Sequence, residues 1–293
     1  MTRSVPAVRA GVVRLRPLLA LGFLAPAAPA AAQSLRDFSY ERGVRGEQQL
    51  RAVVEFGAGR LTLRPGASER LYALTLRYDA ERFQPVGSYD PDAREVRLGV
   101  AGLRRGGVRV GRRDALPQVA LIELSPGVPL SLDILLGAAE SRIELGGLTL
   151  TDLSLKTGAS RTHVSFSSPG RGTCRTAYVS SGAGELEMHG LGNSGCRRWQ
   201  FDGGVGAVTL DLGGEWKGDA RFVMRMALGG TTLRVPRGLG VRVTVEGFLA
   251  GFEGSGFRKR DGAWYSPDYQ SAKRKVEVEM SGALGGLKVE WRD

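Results

Sequence analysis

Hydrophobic and polar residues alternate along most of this chain, as at Leu50, Ala52, Val54 and Phe56. A period of two is typical of β-strands with one buried face, and helical periodicity is nearly absent. Further runs of this kind lie at residues 61–63, 74–78, 96–100, 130–136, 148–150, 153–155, 208–212, 241–245, 276–280 and 287–291. The pattern predicts an all-β protein, in which residues 37–49 could hold one short helix.

Glycines recur through the second half of the chain at a nearly constant spacing, each ahead of a short apolar run. They are Gly137, Gly158, Gly182, Gly204 and Gly229, and the successive steps are 21, 24, 22 and 25 residues. Several show a tighter form, Gly-x-Gly followed by alternating apolar residues, as at 57–61, 182–186 and 204–208. We interpret these glycines as turns that precede strands, because glycine readily adopts positive φ.

A repeat of about 22 residues fits one coil of a parallel β-solenoid. Each coil places its strands about 4.8 Å from those of the previous coil. No coil buries its inward face alone, so stacking supplies the core. The sequence therefore favours a right-handed parallel β-solenoid. An antiparallel sandwich with irregular hairpins, which also contains many short strands, remains the alternative.

The two cysteines of the chain, Cys174 and Cys196, are separated by 22 residues, which is one repeat length. Residues one coil apart stack on each other, at about the Cα distance that a disulfide requires. We therefore predict a Cys174–Cys196 disulfide between adjacent coils. The two histidines, His163 and His189, are distant in sequence and with these cysteines form no zinc signature, so no metal site and no cofactor are expected.

Residues 1–32 have the pattern of a cleaved secretory signal. Four arginines form a basic start with no acidic residue before Asp37, an apolar run follows at 18–24, and small residues end at Ala32. The apolar run is too short for a stable membrane span, and no later run is long enough for one. We predict cleavage after Ala32 and a periplasmic or secreted mature chain without a transmembrane span. An uncleaved interfacial anchor is the alternative.

The formal net charge of +11 falls to +7 in the mature chain, because four arginines and no acidic residue leave with the signal. Long-range attraction draws a basic exported protein toward the anionic polymers of a cell envelope. The simpler interpretation of this charge is solubility. A nucleic-acid partner is not expected outside the cell.

One short segment concentrates five arginines in ten residues, with no acidic residue among them before Asp114. Guanidinium groups bind phosphates and carboxylates through paired hydrogen bonds, so the segment is a candidate site for an anionic envelope ligand. The alternative is a solvated charged loop. The arginines are Arg104, Arg105, Arg109, Arg112 and Arg113.

A second basic set comprises residues 258–260 and 273–275, with Trp264, Tyr265 and Tyr269 between them. Aromatic rings beside cations can stack on sugars or lie at a membrane surface. The alternative is a capping role, because charges on the last strand of a solenoid deter association between sheet edges.

The carboxylates offer only a weak case for an enzyme. Asp202 with Asp211, or Glu185 with Glu187, could share a face and serve a polysaccharide-acting β-helix enzyme. However, the two glutamates alternate with apolar residues, which is the pattern of an outward polar face. No nucleophile elbow, zinc signature or phosphate-binding loop is present in the sequence. We therefore expect no catalytic residues and no enzyme activity.

Two segments resemble known envelope proteins. Residues 54–64, followed by 74–78, resemble the N-terminal toast-rack domain of bacterial envelope proteins. Residues 229–236 and 241–247, with the ending 264–278, resemble the C-terminal domain of LiaF-type cell-wall-active antibiotic response proteins. The resemblance implies a stacked β-solenoid, a link to envelope stress or surface adhesion, and no catalytic residues. Membrane helices precede the domain in the LiaF type, whereas a signal precedes it here.

These observations predict three regions: a signal peptide at 1–32, a toast-rack-like β domain at 33–126 and a LiaF-type β-solenoid at 127–293. The expected function is non-catalytic binding or scaffolding in the cell envelope, with a role in envelope stress response or adhesion. The expected partner is an envelope polymer, a membrane-surface anion or another protein. Self-association is a further possibility, for which an uncapped solenoid end would be the sign.

Overall fold

The computed structural model describes residues 34–103 and 118–292. Within these ranges the chain is almost entirely β-structure, which confirms the predicted fold class. The strands are β1 (Leu35–Gly43), β2 (Leu50–Pro65), β3 (Arg70–Asp79), β4 (Phe83–Asp90), β5 (Glu95–Gly102), β6 (Val119–Leu124), β7 (Leu130–Glu144), β8 (Leu150–Ser165), β9 (Thr176–His189), β10 (Arg198–Asp211), β11 (Ala220–Pro236), β12 (Gly240–Gly254), β13 (Arg258–Arg260), β14 (Ala263–Tyr265) and β15 (Lys275–Arg292). A short 3₁₀ helix, Leu191–Ser194, follows β9.

The long strands stack in parallel, each one coil apart. The order across the stack is β2, β7, β8, β9, β10, β11, β15 and β12. One inward row shows the register: Leu155 pairs with Val179, Val179 with Phe201 and Phe201 with Met224. These steps of 24, 22 and 23 residues confirm the repeat length. Because the pairing is parallel, the alternative of an antiparallel sandwich is wrong.

Each long strand bends at its centre, and glycines of successive coils stack at the bend. Gly184, Gly206, Gly229 and Gly285 pair in register and have φ between +136° and +145°. A Cβ on any of them would collide with the backbone carbonyl of the neighbouring strand. The repeated glycines therefore lie inside continuous bent strands. They do not form turns ahead of separate strands, as the sequence pattern had suggested.

The hydrophobic core fills the inner side of the bend. The inward residue of each strand packs on the equivalent residue of the next coil, so the core runs as rows along the stack. Trp199 lies between Phe222 and Phe201, with ring centroids 5.6 and 5.7 Å away. Burial of these rows is the main stabilising contribution, because a single coil leaves its inward face exposed.

Antiparallel strands cover the first long strand, β2. Along its first half β2 pairs with β5, which pairs with β4; along its second half it pairs with β6, followed by β3 and β1. The short helix considered for residues 37–49 is therefore wrong. In β1, Phe38 and Tyr40 lie opposite Leu76 and Leu74 of β3, so strand pairing outweighs the local helical tendency.

The sheet continues across the predicted boundary at residue 126. β2 lies before this boundary and β7 after it, and the two pair from Leu50–Leu130 to Leu63–Ile143. The N-terminal strands and the solenoid thus share one sheet and one core. Among the described helical segments, none is long and apolar enough to cross a membrane.

The predicted disulfide is present. Cys174 and Cys196 are bonded, with their Cα atoms 4.2 Å apart, and both are buried. They lie just before β9 and β10, so the bond ties two adjacent coils at the beginning of their strands. The reason is the one expected from the sequence, since residues one coil apart are stacked neighbours.

The last coils depart from the sequential order. The C-terminal strand β15 inserts between β11 and β12, which leaves β12 as the final long strand. The antiparallel hairpin β13–β14 then pairs with β12 at Arg242 and Val243. This hairpin and the segment that follows it form the C-terminal end of the stack.

Candidate binding surface

The outward faces of the sheet carry charges that neutralise one another. Arginines on these faces meet carboxylates of neighbouring strands or strand ends at N–O distances between 2.6 and 3.1 Å. Exposed pairs of this kind add little to stability, yet they cancel the local charge. The pairs are Arg51–Asp133, Arg64–Glu123, Arg97–Glu55, Arg161–Glu185, Arg175–Asp152, Arg221–Glu279 and Arg225–Asp202.

The C-terminal end of the stack is built differently, around the hairpin β13–β14. Asp261 and Gly262 form its two-residue turn, with φ of 49° and 78°, the conformation that favours Asp-Gly in tight hairpins. Ser266 fixes the hairpin to β12, because its hydroxyl accepts a hydrogen bond from the Val241 amide at 2.9 Å. The Asp-Gly pair was the sequence signal for this hairpin, and the period-two pattern did not register it.

Cations and aromatic rings alternate on this end. Lys259 lies over the Trp264 ring at 5.6 Å, Arg260 over Tyr265 at 4.9 Å, and the Lys275 ammonium 5.3 Å from the Tyr269 ring centroid. Tyr265 and Tyr269 meet edge to face at 5.0 Å. We call this set, comprising residues 258–260, 264–265, 269 and 273–275, the basic-aromatic end.

A groove runs along the basic-aromatic end, and its walls include Arg258, Arg260, Tyr265 and Tyr269. Partial burial raises the pKa of Tyr269, so its hydroxyl remains a neutral hydrogen-bond donor at physiological pH. A ligand in this groove would meet guanidinium groups, ring faces and phenol hydroxyls together. Such a combination suits an anionic sugar polymer, because rings stack on sugars and guanidinium groups bind its acidic substituents.

The cations of this end differ from those on the sheet faces in their partners. Within the described residues, no carboxylate lies within 4.0 Å of the charged groups of Arg258, Lys259, Lys273 or Lys275. Arg260 has a distant partner, Asp261, at 3.9 Å. The structure therefore brings the second basic set of the sequence together as a surface of largely uncompensated positive charge.

The five arginines of the first basic set, Arg104 to Arg113, lie outside the described residues. Their role as an anion site stays a prediction.

The carboxylates considered for catalysis are held by cations. Asp202 accepts a hydrogen bond from Arg225 at 2.9 Å, and Glu185 accepts one from Arg161 at 2.8 Å. Asp211 is buried, and it lies beyond the Gly206 bend from Asp202. The two aspartates therefore belong to different halves of β10.

The two histidines, distant in sequence, are neighbours in space. Their ring centroids are 4.8 Å apart, and Glu187 lies within 3.4 Å of His163 and 3.5 Å of His189. These three residues are the described cluster whose ligand atoms are close enough to hold a metal ion. The separation in sequence was misleading, because His163 pairs in register with Glu187 on the next coil. The 24-residue step between them is the signal that could have revealed it.

Comparison with known proteins supports the fold. Residues 31–189 match the N-terminal domain of toast-rack proteins, DUF2154. Similar solved structures include a candidate cell adhesion protein from Clostridium sporogenes, 15% identical, covering 88% of this chain and 100% of that one with a TM-score of 0.46. A candidate adhesin from Bacteroides fragilis is 12% identical and covers 88% and 98%, with a TM-score of 0.36. No curated protein matches the chain. The domain match spans more than half of the chain, which therefore belongs to the toast-rack family.

Proposed function

We propose that the mature chain, from Gln33 onward, is an exported, non-catalytic protein of the cell envelope that binds an anionic envelope polymer. The supporting observation is the basic-aromatic end, where cations without nearby carboxylates surround the rings of Trp264, Tyr265 and Tyr269. The stack of coils serves as a rigid support that presents this end. Adhesion or envelope-stress signalling would follow from the binding.

Electrostatics favour the end of the stack over its faces as the binding region. On the faces, a polymer would have to displace ion pairs such as Arg225–Asp202 before it gained a contact. At the end, cations are available without that cost. Cations near an anionic surface contribute about 1 kcal/mol each to binding, so three of them account for about a hundredfold in affinity.

Export is supported by two independent features. The first 32 residues have a basic start, a short apolar run and an Ala-x-Ala ending, as secretory signals do. The Cys174–Cys196 disulfide suits an oxidising compartment such as the periplasm or the cell exterior. We propose cleavage after Ala32.

A non-catalytic role is favoured over a polysaccharide-acting enzyme by the state of the carboxylates. A glycosidase requires two carboxylates about 5–10 Å apart that are available to the substrate. Here Glu185 is paired with Arg161, and Asp202 is paired with Arg225. We infer that these groups stabilise the stack and do not act on a substrate.

The test is co-sedimentation of the purified mature chain with isolated cell envelopes at low and at high salt. We expect binding at low salt that is lost at high salt, because screening weakens attraction between exposed charges. The variant R258S/K259S/R260S should bind about a hundredfold more weakly. The matched control R161S/R221S/R225S removes three arginines that have partners on the sheet faces, and it should bind as the parent does.

Three outcomes would contradict parts of this proposal. Equal loss in both triple variants would mean that net charge alone drives binding. Loss only on changing Arg104, Arg105, Arg109, Arg112 and Arg113 to serine would move the site to that segment. Absence of binding at either salt concentration would exclude a polymer ligand and favour a protein partner, while release of reducing sugars from the envelopes would support the enzyme.

A further inference from the structure

We propose that His163, Glu187 and His189 bind one divalent first-row transition-metal ion, for which Zn²⁺ is the appropriate probe. The site lies near the C-terminal ends of β8 and β9, on the outward face of the stack. It is separate from the basic-aromatic end and does not depend on the function proposed above.

In-register stacking creates this site. His163 of β8 pairs with Glu187 of β9, so their side chains project from the same face at neighbouring positions. His189 follows two residues later on β9 and projects from that same face. Glu187 thus lies between two imidazoles, one on its own strand and one on the next.

The distances suit a tetrahedral ion. Zn²⁺ bonds of about 2.0 Å place neighbouring ligand atoms about 3.3 Å apart. The Glu187 Oε2 atom lies 3.4 Å from His163 Nδ1 and 3.5 Å from His189 Nε2. All three ligand atoms lie within 4.8 Å of one another, so small side-chain rotations bring the third pair to the same spacing.

A buried carboxylate supports the ring that would carry the metal. His189 directs Nε2 toward Glu187, while its other nitrogen, Nδ1, lies 3.6 Å from Asp211 Oδ2. The Asp211 side chain is only 6% exposed and accepts hydrogen bonds from the Gly213 amide and from Arg292. Metal-binding histidines characteristically present their second nitrogen to such a carboxylate, which sets the tautomer and orients the ring.

The electrostatics of Glu187 agree with this geometry. Burial alone would raise the pKa of Glu187, yet hydrogen bonds from His189 and His163 outweigh it and hold the pKa below its usual value. The carboxylate is therefore ionised at neutral pH, as a metal ligand must be. The same contacts would also form a simple ion pair with a protonated histidine, and that is the alternative which the experiment must exclude.

Three protein ligands leave a fourth position for solvent. The side chains of His163 and Glu187 are 46% and 54% exposed, so this position opens outward. The ion would tie β8 to β9 near their C-terminal ends, whereas the disulfide ties β9 to β10 where those strands begin. β9 would then be fixed near both ends.

The composition makes the test clean. His163 and His189 are the only histidines of the chain, and its only cysteines form the disulfide. Any metal held through imidazole must therefore be held here. The experiment is calorimetric titration of Zn²⁺ into the mature chain, prepared without a histidine tag, together with NMR of the two imidazole rings.

We expect one Zn²⁺ per chain and shifts of both imidazole signals on binding. H163Q and H189Q should each lower the affinity about a hundredfold, and D211N about tenfold to a hundredfold. E185Q, two residues from Glu187 on the same face, is the matched control and should bind as the parent does. Since His189 contacts buried Asp211, the more exposed H163Q variant keeps the test valid if H189Q folds poorly.

The proposal is overturned by three results. These are no heat of binding with Zn²⁺ in the millimolar range, binding that H163Q leaves unchanged, or binding that shifts neither imidazole signal. The last two would place the ion on carboxylates elsewhere, and the first would leave the cluster as an ion pair.

Discussion

The outward faces of the coil stack and its C-terminal end use the same arginines and lysines for different purposes. On the faces, Arg161 meets Glu185 and Arg225 meets Asp202, because parallel register places opposite charges on neighbouring coils. At the end, the hairpin β13–β14 runs antiparallel over the last long strand and escapes that register. Its cations find aromatic rings in place of carboxylates.

This difference shows how position in a stacked sheet decides the role of a charge. A residue inside the stack has a neighbour above and below, and complementary pairs accumulate there. A residue at the end has a neighbour on one side only, so its charge remains available. The comparison predicts that changes in the stack alter stability without altering polymer binding, and that changes of the terminal cations do the reverse.

The largest effect is expected at the glycine bend. Gly206→Ala should lower the free energy of unfolding by about 4 kcal/mol, because φ of 145° strains alanine and its Cβ would strike the Gly184 carbonyl. Urea unfolding followed by circular dichroism measures the change. Gly230→Ala, where no atom lies within 4 Å of an added Cβ, is the control and should stay within about 0.5 kcal/mol. Equal stability of the two variants would show that the bend does not require glycine.

Removal of the disulfide is the next largest change. The double variant C174A/C196A should lose about 3 kcal/mol of stability, because the unfolded chain gains the freedom of an open loop of 22 residues. Reduced wild-type protein should unfold at nearly the same urea concentration. Envelope binding by the folded variant should equal that of the parent, and a loss there would mean that the stack contributes directly to the ligand site.

Trp264 joins the two regions and should affect both properties. Its ring stacks on Phe252 with centroids 4.6 Å apart, beneath Lys259. Trp264→Ala should cost about 2 kcal/mol of stability and weaken envelope binding, because the hairpin loses its contact with the stack. Trp264→Phe preserves the stacking and should recover most of both. Unchanged binding by Trp264→Ala would show that the hairpin holds its cations without this anchor.

The smallest and sharpest test exchanges one cation from each region. Arg225→Ser should change stability by less than about 1 kcal/mol and leave binding unchanged, because Asp202 already neutralises it. Lys259→Ser should leave stability unchanged and weaken binding about fivefold. Thermal unfolding and co-sedimentation of the two variants side by side provide the readouts. Similar binding losses in both would remove the distinction between the regions.

Much of the fold follows from local patterns. Period-two alternation indicated strands, the recurring glycines indicated coils of about 22 residues, and the cysteine spacing indicated the disulfide. Each of these signals depends on residues close in sequence or separated by one regular repeat. The same patterns failed at residues 37–49, where pairing with β3 makes β1 a strand, and at the glycines, which bend strands from within.

The candidate sites were less accessible. The basic-aromatic set was visible as composition, but its uncompensated charge depends on which carboxylates the fold brings near. The histidine cluster was not anticipated, because His163 and His189 lie on different coils. Steps between coils vary from 21 to 25 residues, so spacing alone does not tell which residue stacks on which.

The sequence by itself therefore determined the strand content, the repeat and the disulfide, because these follow from periodicities that act over one or two coils. Only the tertiary structure decided the register of each coil, the insertion of β15 between β11 and β12, and the meeting of His163, Glu187 and His189. The physical reason is that register depends on the conformations of the connecting loops and on core packing summed over the whole stack. Neither is encoded in a short stretch of residues.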